Sequence, residues 1–118
     1  MTNPKEWTLR LRAEDRGMFI DIRDGLKTVE TRAATPRYRA IRKGDVLVFT
    51  CGRGRLRRKI ARVRVFRTVG ALAKAVPVRR VMPAVRSLGE MRTIYRGYPG
   101  YREKIRRYGI IAFDMIEL

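Results

Sequence analysis

Apolar and polar residues alternate strictly over Trp7-Thr8-Leu9-Arg10-Leu11-Arg12, which puts Trp7, Leu9 and Leu11 on one side and Thr8, Arg10 and Arg12 on the other. A period of two marks a strand with one buried face. The pattern then changes to helical spacing: Met18, Phe19 and Ile22 share a face, Asp15 stands at the cap and Gly25 supplies the stop. Lys27 to Ala33, rich in Thr and Val, reads as a second strand. After Pro36, Arg37 to Lys43 is a polar loop leading to the turn Gly44-Asp45. Val46 to Thr50 is apolar on both faces, as a central, doubly covered strand requires.

Cys51-Gly52-Arg53-Gly54 is a glycine-rich turn, and the next strand, Lys59 to Arg67, sets Ala61, Val63 and Val65 opposite Arg62 and Arg64. Thr68 caps a helix carrying Val69, Leu72, Ala73 and Val76, which Pro77 stops. Val78 to Ala84 is an irregular connection. Ser87-Leu88-Gly89-Glu90 has the form of a capping box ahead of Met91, Ile94 and Tyr95. Pro99 to Tyr108 is a further short helix ending at Gly109, and Ile110 to Ile116 is a closing apolar strand that pairs back to the first. The order predicts an α+β fold, a small mixed β-barrel flanked by short helices. With 118 residues the chain has the length of one domain.

Charge narrows the partner. Lys and Arg total 29 against 11 Asp and Glu, and no His offsets the resulting +18. An imbalance of this size repels itself on compaction and points to a polyanionic partner, nucleic acid first. Without His, and with Cys51 as the one cysteine, common zinc sites and Cys-His or Ser-His-Asp machinery cannot be assembled. No metal or other cofactor is expected. A lone cysteine suits a reducing interior, and the absence of a signal-like or membrane-length apolar run makes the cytoplasm the expected address and a membrane an unexpected partner. Gln is absent and Asn3 is the one asparagine, a depletion of thermolabile amides that points to a thermophilic source. The oligomeric state is left open, with a monomer as the expectation.

Gly25-Leu26-Lys27-Thr28-Val29-Glu30-Thr31-Arg32 spells Gly-x-Lys-x-x-Glu-x-Arg. Glu30 and Arg32, two apart on a strand, share a face within reach of a carboxylate–guanidinium pair, and Thr28 shares it too. Lys27 follows the helix-ending Gly25, where irregular backbone can turn it inward. One carboxylate and two cations offer donors to a carbonyl or phosphate and an acceptor to an exocyclic amine. The pattern resembles the signature of the ASCH domain family, as do the flanking Trp7-Thr8-Leu9, Gly44-Asp45-Val46-Leu47-Val48-Phe49 and Tyr108-Gly109-Ile110-Ile111-Ala112-Phe113. The resemblance implies a PUA-like barrel that binds RNA, with Lys27, Thr28, Glu30 and Arg32 in the ligand cleft.

A bacterial branch of that family hydrolyses acetylcytidine with the signature lysine, a threonine of the same strand and a later glutamate. By that resemblance an amidohydrolase is the alternative reading, with Lys27 activating the nucleophile and Glu30 or Glu90 as acid and base. Here Glu30 stands in the threonine's place, and Glu90 already has a capping role. A binding module is therefore favoured over an enzyme.

From Val46 to Gly89 the chain has no acidic residue and 12 basic ones. Arg53, Arg55, Arg57, Arg58, Lys59, Arg62, Arg64 and Arg67 form an arginine-lined hairpin suited to a phosphate backbone, RNA ahead of DNA. Arg92, Arg96, Arg102, Arg106 and Arg107 interleave with Tyr95, Tyr98, Tyr101 and Tyr108. Tyr95, Tyr101 and Tyr108 fall at core spacings, which leaves Tyr98, in the turn Gly97-Tyr98-Pro99-Gly100, as the exposed ring for base stacking.

Overall fold

The structure is a computed structural model and describes residues 3–118. Five strands form one sheet in the order β1-β3-β4-β5-β2: β1 Glu6–Arg10, β2 Val29–Ala33, β3 Val46–Cys51, β4 Gly54–Phe66 and β5 Ile110–Ile116. β1 lies parallel to β3, while the β3–β4, β4–β5 and β5–β2 pairs are antiparallel. The sheet curls into a half-barrel. Six helices accompany it among the described residues: α1 Arg16–Arg23, α2 Pro36–Arg39, α3 Val69–Ala75, α4 Val78–Val81, α5 Leu88–Gly97 and α6 Tyr101–Tyr108. The mixed α+β character read from the sequence is thus present.

The closing strand departs from expectation. β1 pairs with β3 alone and keeps its other edge free, and β5 pairs with β4 and β2. The reason lies in its side chains. Ile111, Phe113 and Met115 enter one core with Leu9, Phe19, Leu47, Phe49 and Ile60, whereas Ile110 and Ala112 enter a second with Val29, Leu72, Val81, Met91 and Tyr95. A strand buried on both faces belongs in the middle of a sheet. β3 has the same character, with Val46 to Phe49 all buried.

β4 starts at Gly54 rather than Lys59, because Leu56 alternates with Arg55 and Arg57 within a dense run of charge. A bulge between Ile60 and Arg62 inserts Ala61 and brings Ile60 into the same core as Val63, against strict alternation. Val65 is exposed, contrary to the buried role that its spacing implies. Two stretches expected to be irregular contain short helices. Pro36 opens α2 at a position where its missing N–H costs nothing, and Val81 anchors α4 in the second core.

Two of the three predicted caps form their side-chain bonds, whereas Asp15, at the start of α1, makes none because its carboxylate accepts from Arg12 Nε at 3.0 Å. Thr68 Oγ1 accepts from Ala71 N at 3.0 Å, and Ser87 Oγ accepts from Glu90 N at 3.2 Å. The Glu90 carboxylate reaches back to Arg86 N at 3.1 Å. Gly109 ends α6 at φ +84°, and a Cβ there would lie 2.5 Å from Phe66 O. That position requires glycine on both counts.

Asp45 locks the parallel edge. Its carboxylate accepts from Lys5 N at 3.1 Å, Trp7 Nε1 at 2.9 Å and Arg42 N at 3.0 Å, which fixes β1 against the turn before β3. Burial raises the carboxyl pKa, but the N–H groups of Arg42, Lys5 and Trp7 outweigh it and hold the group below its ordinary value. A carboxyl so depressed stabilises the fold above the unfolded-state pKa and loses that contribution as pH falls through the folded-state value. Asp45→Ala should therefore cost about 3 kcal/mol at neutral pH, and the gap from the parent should shrink below about pH 4 in urea melts. A pH-independent gap would refute the carboxylate's role.

Candidate functional site

β2 is an edge strand, yet Val29, Glu30, Thr31 and Ala33 are buried. In its ladder with β5, Thr28 O accepts from Met115 N and Ala34 N donates to Gly109 O. Glu30 and Arg32 thus face β5 with their backbone groups, as do Thr28 O and Ala34 N at the two ends, and those of Val29 and Thr31 point outward without a neighbouring strand. Buried backbone groups need partners. Lys27 Nζ donates to Val29 O at 2.9 Å and also to Val81 O, and Thr31 N donates to Glu30 Oε1 at 2.9 Å. Two signature side chains cap the edge in place of another strand.

The same groups form a buried charged row. Lys27 Nζ lies 3.5 Å from Glu30 Oε1, and Arg32 Nη2 lies 3.4 Å from Glu30 Oε2. Burial lowers the Lys27 pKa, with Glu30 opposing. Burial raises that of Glu30, but Lys27, Arg32 and the Thr31 N–H prevail and hold it below its ordinary value. For Arg32 burial again opposes charge, and Glu30 more than restores it.

A cleft of about 210 Å³ opens beside this row, where the two edges of the half-barrel face each other. Glu30, Thr31 and Arg32 line it from β2, Arg10, Leu11 and Arg12 from the end of β1, and Tyr98, Pro99 and Tyr101 from the α5–α6 turn. The Tyr98 and Tyr101 rings meet edge to face at 5.2 Å, and the Arg12 guanidinium stands 5.2 Å from the Tyr98 ring centre. Thr31 Oγ1 shares a hydrogen bond with the Tyr95 hydroxyl behind them. A wider hollow of about 890 Å³ continues from the cleft past Arg32, Arg37, Tyr38 and Thr50. Asp15 and Met18 complete the lining, and the Asp15 carboxylate lies 3.0 Å from Arg12 Nε, so the set combines cations, two carboxylates and aromatic faces, which suits a planar polar ring attached to an anion.

The predicted site residues divide. Glu30 and Arg32 line the cleft and pair as their spacing requires. Lys27 does not line it, being turned behind Glu30 onto the carbonyls of Val29 and Val81. Thr28 borders a different hollow with Arg62, Arg64 and Arg80, because it precedes β2 and lies at the other end of the strand. Glu90 is exposed at its cap and takes no part. Tyr98 lines the cleft but is half-buried, its hydroxyl 3.8 Å from Met18 Sδ, rather than a freely exposed ring. Sequence reasoning misses Arg10, Arg12 and Tyr101 as cleft residues; only the long-range approach of β1 and α6 to β2 brings them there.

The hairpin arginines also divide. Arg57 pairs with Glu6, Arg58 donates to the α1 carbonyls of Ile22 and Arg23 at 3.1 and 3.3 Å, and Arg64 pairs with Asp114 at 2.8 Å. Arg53, Arg55, Lys59, Arg62 and Arg67 have no ion-pair partner among the described residues. No group of three or more His, Cys, Asp or Glu that could hold a metal ion occurs among the described residues. No helix among them is long and apolar enough to cross a membrane.

The chain matches no protein-family profile, and no curated protein matches it in sequence. Two solved structures share its architecture over nearly the whole length. The crystal structure of the hypothetical protein PH0355 is 26% identical, with a TM-score of 0.81 over 96% of this chain and 99% of that one. The solution NMR structure of PF0455 from Pyrococcus furiosus is 28% identical, with a TM-score of 0.72 over 96% and 97%.

Glu30 is the counter-ion that two buried cations share. Glu30→Gln should destabilise the fold by about 3–5 kcal/mol, because Lys27 and Arg32 are then left without compensation. Urea unfolding measures this directly, and a loss below about 1 kcal/mol would refute the shared role. The parent's own stability should decline as pH falls through the depressed Glu30 value, and the Gln variant should lack that part of the decline.

Proposed function

We propose that this protein is an RNA-binding domain of the ASCH-like, PUA-like kind, which takes a nucleotide base into the cleft and holds the flanking backbone on unpaired arginines. The observation that carries the reading is the convergence of Glu30, Arg32, Arg12, Tyr98 and Tyr101 on one small cleft at the open edge of the sheet. A tyrosine face stacks on a base, the carboxylate accepts from an exocyclic amine, and the guanidiniums donate to a carbonyl or phosphate. The net charge of +18 draws a polyanion toward that opening. RNA is favoured over DNA on the ASCH resemblance of the signature and its flanks.

Hydrolysis of an acetylated nucleoside has less support. Of Lys27, Glu30 and Glu90, only Glu30 lines the cleft, and the Lys27 ammonium is occupied by two carbonyls.

Fluorescence anisotropy with a single-stranded RNA, its DNA counterpart and an RNA hairpin tests the proposal. Tyr98→Ala should weaken RNA binding by about 5- to 150-fold, equivalent to about 1–3 kcal/mol of stacking, whereas Tyr98→Phe should retain it. Replacing Arg55, Lys59 and Arg62 together by Ala should weaken all three ligands alike and reduce the salt slope by about 0.7–0.9 for each phosphate that is no longer neutralised. Wild-type RNA affinity in Tyr98→Ala would overturn the cleft assignment.

A further inference from the structure

On the other side of the α5–α6 pair from the cleft lies a groove of about 320 Å³ between α3, α5 and α6. Arg67, Arg92, Arg96, Arg102 and Arg106 ring it, and Val69, Tyr95 and Ile105 form an apolar floor. All five arginines are exposed, and none has an ion-pair partner among the described residues. The acids of these helices do not line the groove: Glu90 is held by Arg86 N, and Glu103 lies outside it.

This arrangement works against folding. Arg92 and Arg96 are four apart on α5, and Arg102 and Arg106 are four apart on α6, so each helix carries a like-charge pair of the spacing that destabilises helices. The two helices pack together, which adds the pairs to one another, and Arg67 joins from the end of β4. At Gly70 a Cβ would lie 3.0 Å from Arg92 Nη2, so that guanidinium rests close against the start of α3.

The groove and the cleft lie back to back across the α5–α6 pair. The Tyr95 ring lies in the groove floor while its hydroxyl bonds Thr31 in the cleft wall, and on α6 Tyr101 lines the cleft where the next residue, Arg102, lines the groove. Along each helix the paired residues rise about 6 Å, comparable with the separation of successive phosphates in a nucleic-acid strand.

We propose that the groove between α3, α5 and α6 is a second nucleic-acid site, which holds the phosphodiester backbone of the strand whose nucleotide occupies the cleft. Its link to the cleft rests on the RNA-binding reading above. The phosphates lie between the α5 and α6 arginine pairs, with sugar edges on Val69 and Ile105.

The test compares wild type, Arg96→Gln/Arg102→Gln, Arg96→Lys/Arg102→Lys and Tyr98→Ala in a salt titration with one short fluorescent single-stranded RNA. The glutamine variant should lower the salt slope by about 1.4 and bind roughly 25-fold more weakly near 0.1 M salt, converging on wild type toward 1 M. The lysine variant should keep the wild-type slope. Without RNA, the glutamine variant should melt at or above the wild-type temperature, because repulsion has been relieved; a fall of several degrees together with weakened binding would make the arginines structural and overturn the proposal. An unchanged slope beside weakened Tyr98→Ala binding would refute the groove and leave the cleft. A reduced slope beside unaffected Tyr98→Ala binding would support the groove as a phosphate site and refute the cleft reading.

Discussion

The outer edge of β2 is the constraint on which the rest of this structure depends. A half-barrel has two free edges, and one of them is buried here against α4 and α6. Unpaired backbone groups in that position would cost as much as broken hydrogen bonds, and a free, accessible edge would invite another chain. Lys27 and Glu30 resolve both difficulties with side chains. Each then needs compensation for a charge taken out of water, and each is the other's partner, with Arg32 completing the balance. The Gly-x-Lys-x-x-Glu-x-Arg pattern is therefore an architectural device. Because its carboxylate ends at the cleft wall, the same device gives the opening an acidic acceptor.

β2 also explains why the cleft lies where it does. Closing the barrel by pairing β2 with β1 would have filled the space that Arg10, Arg12, Glu30 and Arg32 now surround. β5 sits between β4 and β2, covered on both faces by separate cores, and this holds β2 at a distance from β1. The α5–α6 turn then brings Tyr98 and Tyr101 over the gap. Rigid strands supply the polar groups and a turn supplies the aromatic ones, so the polar geometry is fixed while the rings come from a segment that tolerates variation.

Much of this is legible along the chain. Period-two and helical spacings locate all five strands and the larger helices, because their apolar faces meet cores that reward those periods. Glu30 and Arg32 are readable as a pair for the same reason. Lys27 is not, since its direction is decided by two carbonyls, one of them 54 residues away on α4. Thr28 keeps the parity of Glu30 and Arg32 but lies at the far end of the ladder, beside Arg62, Arg64 and Arg80, and so away from the cleft. The bulge at Ala61, the place of β5 beside β2 and the approach of Arg12 to Tyr98 are products of tertiary packing, which local pattern does not encode.

The arginines show most clearly what sequence and structure each contribute. Composition reveals an excess of positive charge but not which guanidiniums the fold consumes. Arg12, Arg23, Arg32, Arg57 and Arg64 are bound to carboxylates, and Arg39 and Arg58 to backbone carbonyls, so their charge is used by the chain itself. Of those without an ion pair among the described residues, one group lies along β4 and another rings the α3, α5 and α6 groove. A selection for stability alone would disperse such charge or set acids beside it. Its concentration without acids, on helices that it weakens, is the pattern expected when the missing counter-charge arrives with a ligand.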